Sequence, residues 1–183
     1  AFGEPNEPKK TAKDPKVEEV RAGKNFIATK VYSEEEDAET LKLYEGLRVA
    51  DVVDGMEKVG LSSIGTMSPD IHPLWKDTEH YTHRIQGIAV TARYVPTNKP
   101  QAPAMDTKSF DAWVGNTYNT ITSEPFVPLI RKGTALVIEE AGDSDTGSIG
   151  SNNIMVWKMA GCIGVVTSNT SRDTDEITTE KMP

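Results

Sequence analysis

The chain has 183 residues, of which 37% are hydrophobic and 26% are charged, the composition of an ordinary globular protein with one core. Its formal net charge of -8 argues against a nucleic-acid partner and an anionic membrane partner, because both require a basic surface. The single Cys162 rules out an intrachain disulfide, and its apolar flanks predict a buried thiol. The chain begins at Ala1, which would suit a mature form after signal removal, so the compartment, cytoplasmic or exported, stays open.

Residues 1–41 are predicted to form a polar N-terminal arm that precedes the folded domain. Residues 1–24 are rich in Lys, Glu and Pro and have little apolar surface to bury, which predicts extended or mobile chain. Segment 25–33 alternates weakly between apolar and polar residues, so it fits a docking strand. The acidic run Glu34–Asp37 predicts the first turn of a helix, since carboxylates are favoured at the positive end of the helix dipole.

From residue 42 to residue 183, stretches with helical spacing alternate with short apolar stretches of strand type. Helices are predicted from Val49 to a stop at Gly60, from Phe110 to Ile121 and from Ile154 to Ala160, and strands at 87–95, 135–139 and 163–167. The last helix is apolar nearly all round, so we expect it to be buried, with Ser151 as its N-cap. This alternation predicts an α/β domain with some parallel strand pairing.

The segment richest in chemistry is a glycine loop, 147–150, followed by the last predicted helix, a strand, and the adjacent pair Arg172 and Asp173. Amides at a helix N-terminus attract anions, an arginine can bind a carboxylate through two N–H groups, and an aspartate can hold a hard cation. A small oxo acid bound to a divalent metal would use all three. The alternative is that Arg172 and Asp173 form a surface ion pair or start a helix.

Several stretches match a known family in the same order: Val49–Met56, Pro73–Trp75, Gly87–Arg93, the strand and glycine loop at 135–150, and Gly161–Val166 followed by Arg172 and Asp173. Over residues 42–183 the chain resembles the RraA-like family, often labelled demethylmenaquinone methyltransferase-like. That family includes the class II pyruvate aldolases that act on 4-hydroxy-4-methyl-2-oxoglutarate, and the regulator of ribonuclease E activity. The methyltransferase label has no support here, because no glycine-rich motif suits a methyl-donor nucleotide.

The resemblance implies a swivelling β/β/α fold that assembles as a homotrimer or a hexamer, with the active site at a subunit interface. It also implies a Mg²⁺- or Mn²⁺-dependent lyase that cleaves or decarboxylates a small 2-oxo acid through a pyruvate enolate. In that function Arg172 would bind the oxo acid and Asp173 would ligate the metal. The loop at Gly150, Ser151, Asn152 and Asn153 would bind the substrate carboxylate through its amides.

The chain departs from the aldolase pattern in two ways. The aldolases carry an aspartate after the second loop glycine, where this chain has Ser151, and a hydroxyl cannot act as a general base near neutral pH. Asp143 and Asp145, on the same loop, are the candidates to replace it. Family members also continue beyond the position of Pro183, so C-terminal strands of the fold are expected to be missing here. These departures keep open the alternative of a non-catalytic trimeric binding or regulatory protein.

Overall fold

The computed structural model describes residues 32–62, 64–142 and 147–183, which belong to one unit, Tyr32–Pro183. Most of the predicted docking strand, and both Asp143 and Asp145, lie outside the described residues. The predicted boundary between residues 41 and 42 stays a prediction. Among the helices in these ranges, none combines the length and the apolar composition needed to cross a bilayer.

The described residues form an α/β fold, as the alternating pattern predicted. The elements in chain order are α1 (Glu34–Leu43), α2 (Val49–Lys58), β1 (Ile88–Tyr94), α3 (Thr107–Thr120), a 3₁₀ turn (Val127–Leu129), β2 (Thr134–Glu140), α4 (Ser151–Met159), β3 (Cys162–Thr167) and α5 (Thr174–Thr179). The three helices and three strands predicted within residues 42–183 are present, with bounds within a few residues of those expected. The acidic run Glu34–Asp37 does open a helix, and Ser33 and Glu36 cap it reciprocally.

The three strands form one parallel sheet in the order β1-β2-β3. In its register Tyr94 pairs with Glu140, and Ile138 pairs with Thr167, so the carboxyl ends of all three strands meet at one edge. In open parallel sheets, ligands bind outside this edge, because the connecting loops converge there. The glycine loop follows β2 and the Arg172–Asp173 segment follows β3, which places both at the carboxyl edge.

The core lies where β2 meets α4 and the 3₁₀ turn. Leu136 and Ile138 of β2 are buried, and so are Ile154 and Trp157 of α4. The rings of Phe126 and Trp157 pack with centroids 5.8 Å apart at an interplanar angle of 60°. Cys162 is buried, as predicted, and burial raises the pKa of its thiol.

The prediction that α4 is buried all round is wrong for the described residues. Ile154 and Trp157 face the core, but Met155, Val156 and Met159 are exposed, the last by 84%. An apolar sequence indicates that a helix surface is covered, but it does not say whether the same chain or another one covers it. The amphipathic helices α2 and α3 also leave their apolar faces uncovered within this chain, since neither contributes a fully buried residue.

Helix α1 is attached near both of its ends, by polar contacts to residues that precede β1 and β2. Arg131 Nη2 donates to the backbone oxygen of Tyr32 at 3.1 Å and forms an ion pair with Asp37, whose side chain is only 10% exposed. Gln86 Nε2 donates to the backbone oxygen of Leu41 at 2.8 Å. Since a partly buried charge that loses its partner is poorly solvated, the ion pair holds this helix in place.

We expect Asp37→Ala to lower the free energy of unfolding by about 2 kcal/mol, because it leaves the Arg131 guanidinium half-buried without its carboxylate. Glu39→Ala, on the exposed side of the same helix, is the matched control and should change it by less than about 0.5 kcal/mol. Chemical denaturation measures both. Equal effects of the two substitutions would contradict the docking role of the ion pair.

Candidate functional site

The two segments that the sequence analysis singled out lie side by side. Ile149 and Ser171 form a parallel β-bridge, and the backbone N–H of Arg172 donates to the Ile149 oxygen at 2.9 Å. The glycine loop and the Arg172–Asp173 pair are therefore joined by backbone hydrogen bonds at the carboxyl edge of the sheet. This arrangement places the Arg172 guanidinium and the Asp173 carboxylate beside the N-terminus of α4.

The glycines of the loop are required by close contact. A Cβ at position 147 would lie 2.9 Å from the backbone nitrogen of Arg172, and a Cβ at position 150 would lie 2.7 Å from Asp173 Oδ2. Gly150 has φ -119° and ψ 174°, a conformation that any residue can adopt. Its missing side chain is what allows the Asp173 carboxylate to approach the start of α4.

Asp173 occupies the positive end of α4. Its Oδ2 atom accepts a hydrogen bond from the Ser151 N–H at 3.2 Å and lies 4.0 Å from Arg172 Nε. Asp173 is also the N-cap of α5 and has φ 56°, the left-handed region that aspartate tolerates better than most residues. The predicted alternative of a helix start is thus confirmed, and it coexists with the contact between Asp173 and the glycine loop.

The structure changes the predicted roles of the loop residues. Gly150, not Ser151, is the N-cap of α4, and the Ser151 amide is already bonded to Asp173. Within ranges 32–62, 64–142 and 147–183, the N–H groups of Asn152 and Asn153 have no acceptor, so these two amides are available to an anion. The Ser151 hydroxyl likewise has no hydrogen-bond partner among the residues described.

The Asn153 side chain belongs to the scaffold of the site. Its Oδ1 accepts from the Gly150 N–H at 3.2 Å, and its Nδ2 donates to Glu124 Oε1 at 2.5 Å. The other oxygen of Glu124 accepts from Trp157 Nε1 at 2.9 Å. Sequence reasoning missed Glu124, because it lies in the turn after α3, and no local pattern connects it to α4.

A second carboxylate, Glu140 at the end of β2, joins the two loops of the site. It accepts hydrogen bonds from the Ser148 hydroxyl of the glycine loop and, at 2.7 Å, from Asn169 Nδ2 in the loop after β3. Tyr94 ends the neighbouring strand near both carboxylates. Burial, with the negative charges of Glu124 and Glu140, raises the pKa of Tyr94 to about 12.

An open groove of about 450 Å³ runs beside the start of α4. Its lining includes Ser151, Asn152 and Met155 from α4 and Asp175, Glu176, Thr179 and Glu180 from the α5 side. Arg172 borders the same turn, with a side chain that is 65% exposed. The groove therefore combines the first residues of α4, among them Asn152 with its free amide, with mostly acidic residues from the α5 side.

Asp173 offers one carboxylate oxygen to a magnesium-type cation. One carboxylate oxygen is held by the Ser151 amide, while the other has no partner among the described residues, and the side chain is 41% exposed. Mg²⁺ usually keeps several waters and binds one or two carboxylates together with its substrate. In the part of the chain that the structure describes, no three His, Cys, Asp or Glu side chains converge, so a cation here would retain water or substrate ligands.

A family model described as RraA-like, Aldolase/RraA, matches residues 49–183, close to the extent of the resemblance that the sequence motifs indicated. The chain belongs to the RraA-like family. No curated protein matches it. Two solved structures are similar to this RraA-like chain at 18% identity, which supports the fold alone.

The first of these structures is described as novel cellulases from microbes associated with the gut ecosystem, and the TM-score is 0.57. The similarity covers 91% of the RraA-like chain and 65% of the other. The second is an uncharacterized protein from Pseudomonas syringae pv. tomato, with a TM-score of 0.51 and coverages of 85% and 60%. The RraA-like chain therefore spans less than two thirds of the length of both.

We expect Gly150→Ala to displace the Asp173 carboxylate from the Ser151 amide with little loss of stability, because the atom it meets is the end of a side chain. Gly147→Ala should destabilise the fold by about 1–3 kcal/mol, because its Cβ meets the backbone of Arg172. The Ser151 amide chemical shift and chemical denaturation distinguish the two effects. Gly115→Ala is the control: a Cβ at this exposed glycine of α3 would meet no atom within 4 Å, so alanine should stabilise by up to about 1 kcal/mol.

The raised pKa of Tyr94 makes stability fall at alkaline pH. Because the folded value is about 12 and the ordinary value is 10.0, this contribution is complete below pH 10 and is lost as the pH rises towards 12. We expect the unfolding temperature of the wild type to fall more steeply between pH 9 and 11.5 than that of Tyr94→Phe. Tyr118→Phe, at a 60% exposed tyrosine, should follow the wild type. Parallel curves for all three proteins would contradict the assignment.

Proposed function

We propose that the chain is a divalent-metal-dependent carbon–carbon lyase that acts on a small 2-oxo acid, by retro-aldol cleavage or by decarboxylation of the oxaloacetate type. The observation that carries this proposal is that the Arg172 guanidinium and the Asp173 carboxylate lie beside the N-terminus of α4, where two amides have no acceptor among the described residues. Membership of a family described as Aldolase/RraA supports the same reaction class.

Each group has a role that follows from its chemistry. Arg172 binds the substrate carboxylate through its N–H groups, and the amides of Asn152 and Asn153 add hydrogen bonds at the positive end of α4. Asp173 would hold Mg²⁺ or Mn²⁺ through its second carboxylate oxygen, while the Ser151 amide fixes the first. The bound cation would supply Lewis-acid stabilisation of the charge that develops on the keto oxygen as the carbon–carbon bond breaks.

Retro-aldol cleavage also needs a group that accepts the proton of the substrate hydroxyl. The Ser151 hydroxyl can pass a hydrogen bond but cannot hold that proton near neutral pH. Asp143 and Asp145 on the same loop are the candidates for the base. Decarboxylation needs no such base at the hydroxyl, which makes it the less demanding of the two reactions for this chain.

We further propose that the domain is of the swivelling β/β/α type and assembles as a homotrimer or hexamer, with the site at a subunit interface. The exposed apolar side chains on α2, α3 and α4 support this assembly, as does the open shape of the groove. Sedimentation analysis of the protein tests the assembly directly. A monomer at micromolar concentration would contradict it.

The second candidate is a non-catalytic binding or regulatory protein that keeps the oxo-acid pocket. The observation that favours it is Ser151 at the position where the aldolases carry an aspartate. It predicts that metal and pyruvate bind with measurable heat while no product forms.

We expect the protein to release pyruvate from oxaloacetate, 4-hydroxy-4-methyl-2-oxoglutarate or both with Mg²⁺, and to stop when EDTA is added. Arg172→Ala and Asp173→Asn should each lower kcat/KM by about a hundredfold or more, because each removes a preorganised charge from the reacting groups. A coupled assay for pyruvate measures this.

Arg93→Ala is the matched control, since its side chain is exposed to nearly the same extent and forms a comparable surface ion pair with Glu139 at 3.2 Å. It should retain wild-type rates. Release that survives both Arg172→Ala and Asp173→Asn would place the chemistry elsewhere. If the wild type releases no pyruvate but still binds pyruvate and metal, the lyase proposal is contradicted and the non-catalytic binding or regulatory function remains.

A further inference from the structure

We propose that Glu124 is a positioning residue: it orients the side-chain amide of Asn153 and thereby fixes the turn from Gly150 to Asn153 that binds the oxo-acid carboxylate. Glu124 lies outside the groove and follows α3, yet both of its oxygens are bonded to side chains of α4. The activity readout of this inference rests on the proposed function.

The hydrogen bonds around Asn153 admit only one orientation of its amide. A carboxylate is only an acceptor, so Glu124 must face the Nδ2 end of Asn153. The backbone N–H of Gly150 is only a donor, so it must face the Oδ1 end. Both neighbours thus select the same orientation, and a 180° flip of the amide would place donor against donor at Gly150.

Glu124 itself is held by the core. The neighbouring Phe126 is 2% exposed and packs against Trp157, which donates to the second oxygen of Glu124. The Glu124 backbone oxygen accepts from the Val127 N–H at 3.1 Å. The direction of the Asn153 amide is therefore set from the core side by Glu124 as well as from the loop by the Gly150 N–H.

The consequence concerns the geometry of the anion-binding turn. The Asn153 side chain closes the turn through its bond to the Gly150 N–H, and the next N–H, that of Ser151, holds Asp173 Oδ2. If the amide of Asn153 loses its orientation, the turn loosens and its free amides no longer converge. Binding of the substrate carboxylate should weaken more than the bond-breaking step, because these contacts exist before the reaction begins.

The decisive variant is Glu124→Gln, which keeps the shape but turns one acceptor oxygen into a donor. Glutamine can accept from Asn153 or from Trp157 but not from both. We expect KM for the oxo acid to rise about tenfold, the cost of one such bond, with kcat within about threefold of wild type. Glu139→Gln removes an equal charge from an exposed glutamate and should leave both constants unchanged.

Exchanging the donor and the acceptor should restore the site. In the double variant Glu124→Gln with Asn153→Asp, the glutamine amide donates to the new carboxylate and its oxygen still accepts from Trp157. The new carboxylate in turn accepts from the Gly150 N–H, and the total charge equals that of the wild type. We expect KM to return to within about threefold of wild type. Asn153→Asp alone sets two carboxylates against each other and should raise KM at least as much as Glu124→Gln.

Nuclear magnetic resonance gives a readout that does not depend on turnover. The Gly150 amide and Trp157 indole N–H resonances should shift in Glu124→Gln and return towards wild-type positions in the double variant. Unchanged KM and unchanged resonances in Glu124→Gln would overturn the positioning role and leave the lyase proposal intact. A double variant whose KM is no lower than that of Glu124→Gln would have the same meaning. If the wild type releases no pyruvate, the lyase proposal fails, and the resonances alone decide the role of Glu124.

Discussion

The contact between the glycine loop and the Arg172–Asp173 pair is the constraint on which the rest of the site depends. Asp173 reaches the positive end of α4 because Gly150 has no side chain, and Arg172 packs against the loop because Gly147 has none. This contact joins the loop after β2 to the loop after β3. It therefore converts two segments that are distant in sequence into one site at the carboxyl edge of a parallel sheet. The glycines serve this close approach.

Two glutamates that do not line the groove stabilise this contact through hydrogen bonds. Glu140 bonds to a side chain on each loop, while Glu124 connects the start of α4 to the core through Trp157. Tyr94 lies close enough to both for their charges to raise its pKa. Each of these carboxylates accepts hydrogen bonds and so orients the groups that donate to it. Neither carboxylate lines the groove. Such support allows an exposed turn to keep a defined geometry, since side chains fixed by packed residues hold the groups that contact ligand.

The local elements were predictable, whereas the support of the site was not. The spacing of Val49, Val52, Val53 and Met56 identified α2, and the apolar runs identified all three strands, because these signals are local and periodic. Pairing of Arg172–Asp173 with the glycine loop was indicated by the family motifs. Glu124 could not be found in this way, since its partners Asn153 and Trp157 lie 29 and 33 residues further along the chain. The exposed face of α4 was also missed, because hydrophobic content does not specify what covers a surface.

The charges around the groove connect metal binding to substrate binding. Its lining contains Asp175, Glu176 and Glu180 but no lysine or arginine, and the whole chain carries a net charge of -8. A free oxo-acid anion would be repelled by this wall, and Arg172, which is largely exposed, offsets only part of the repulsion. A divalent cation held by Asp173 would reverse the local field, so in the proposed function metal and oxo acid bind best together. Met155 lies in the same groove and is 49% exposed, next to the other uncovered apolar residues of α4. A partner that covered this helix face would therefore also lower the access of water to the metal and to the substrate, which strengthens both interactions.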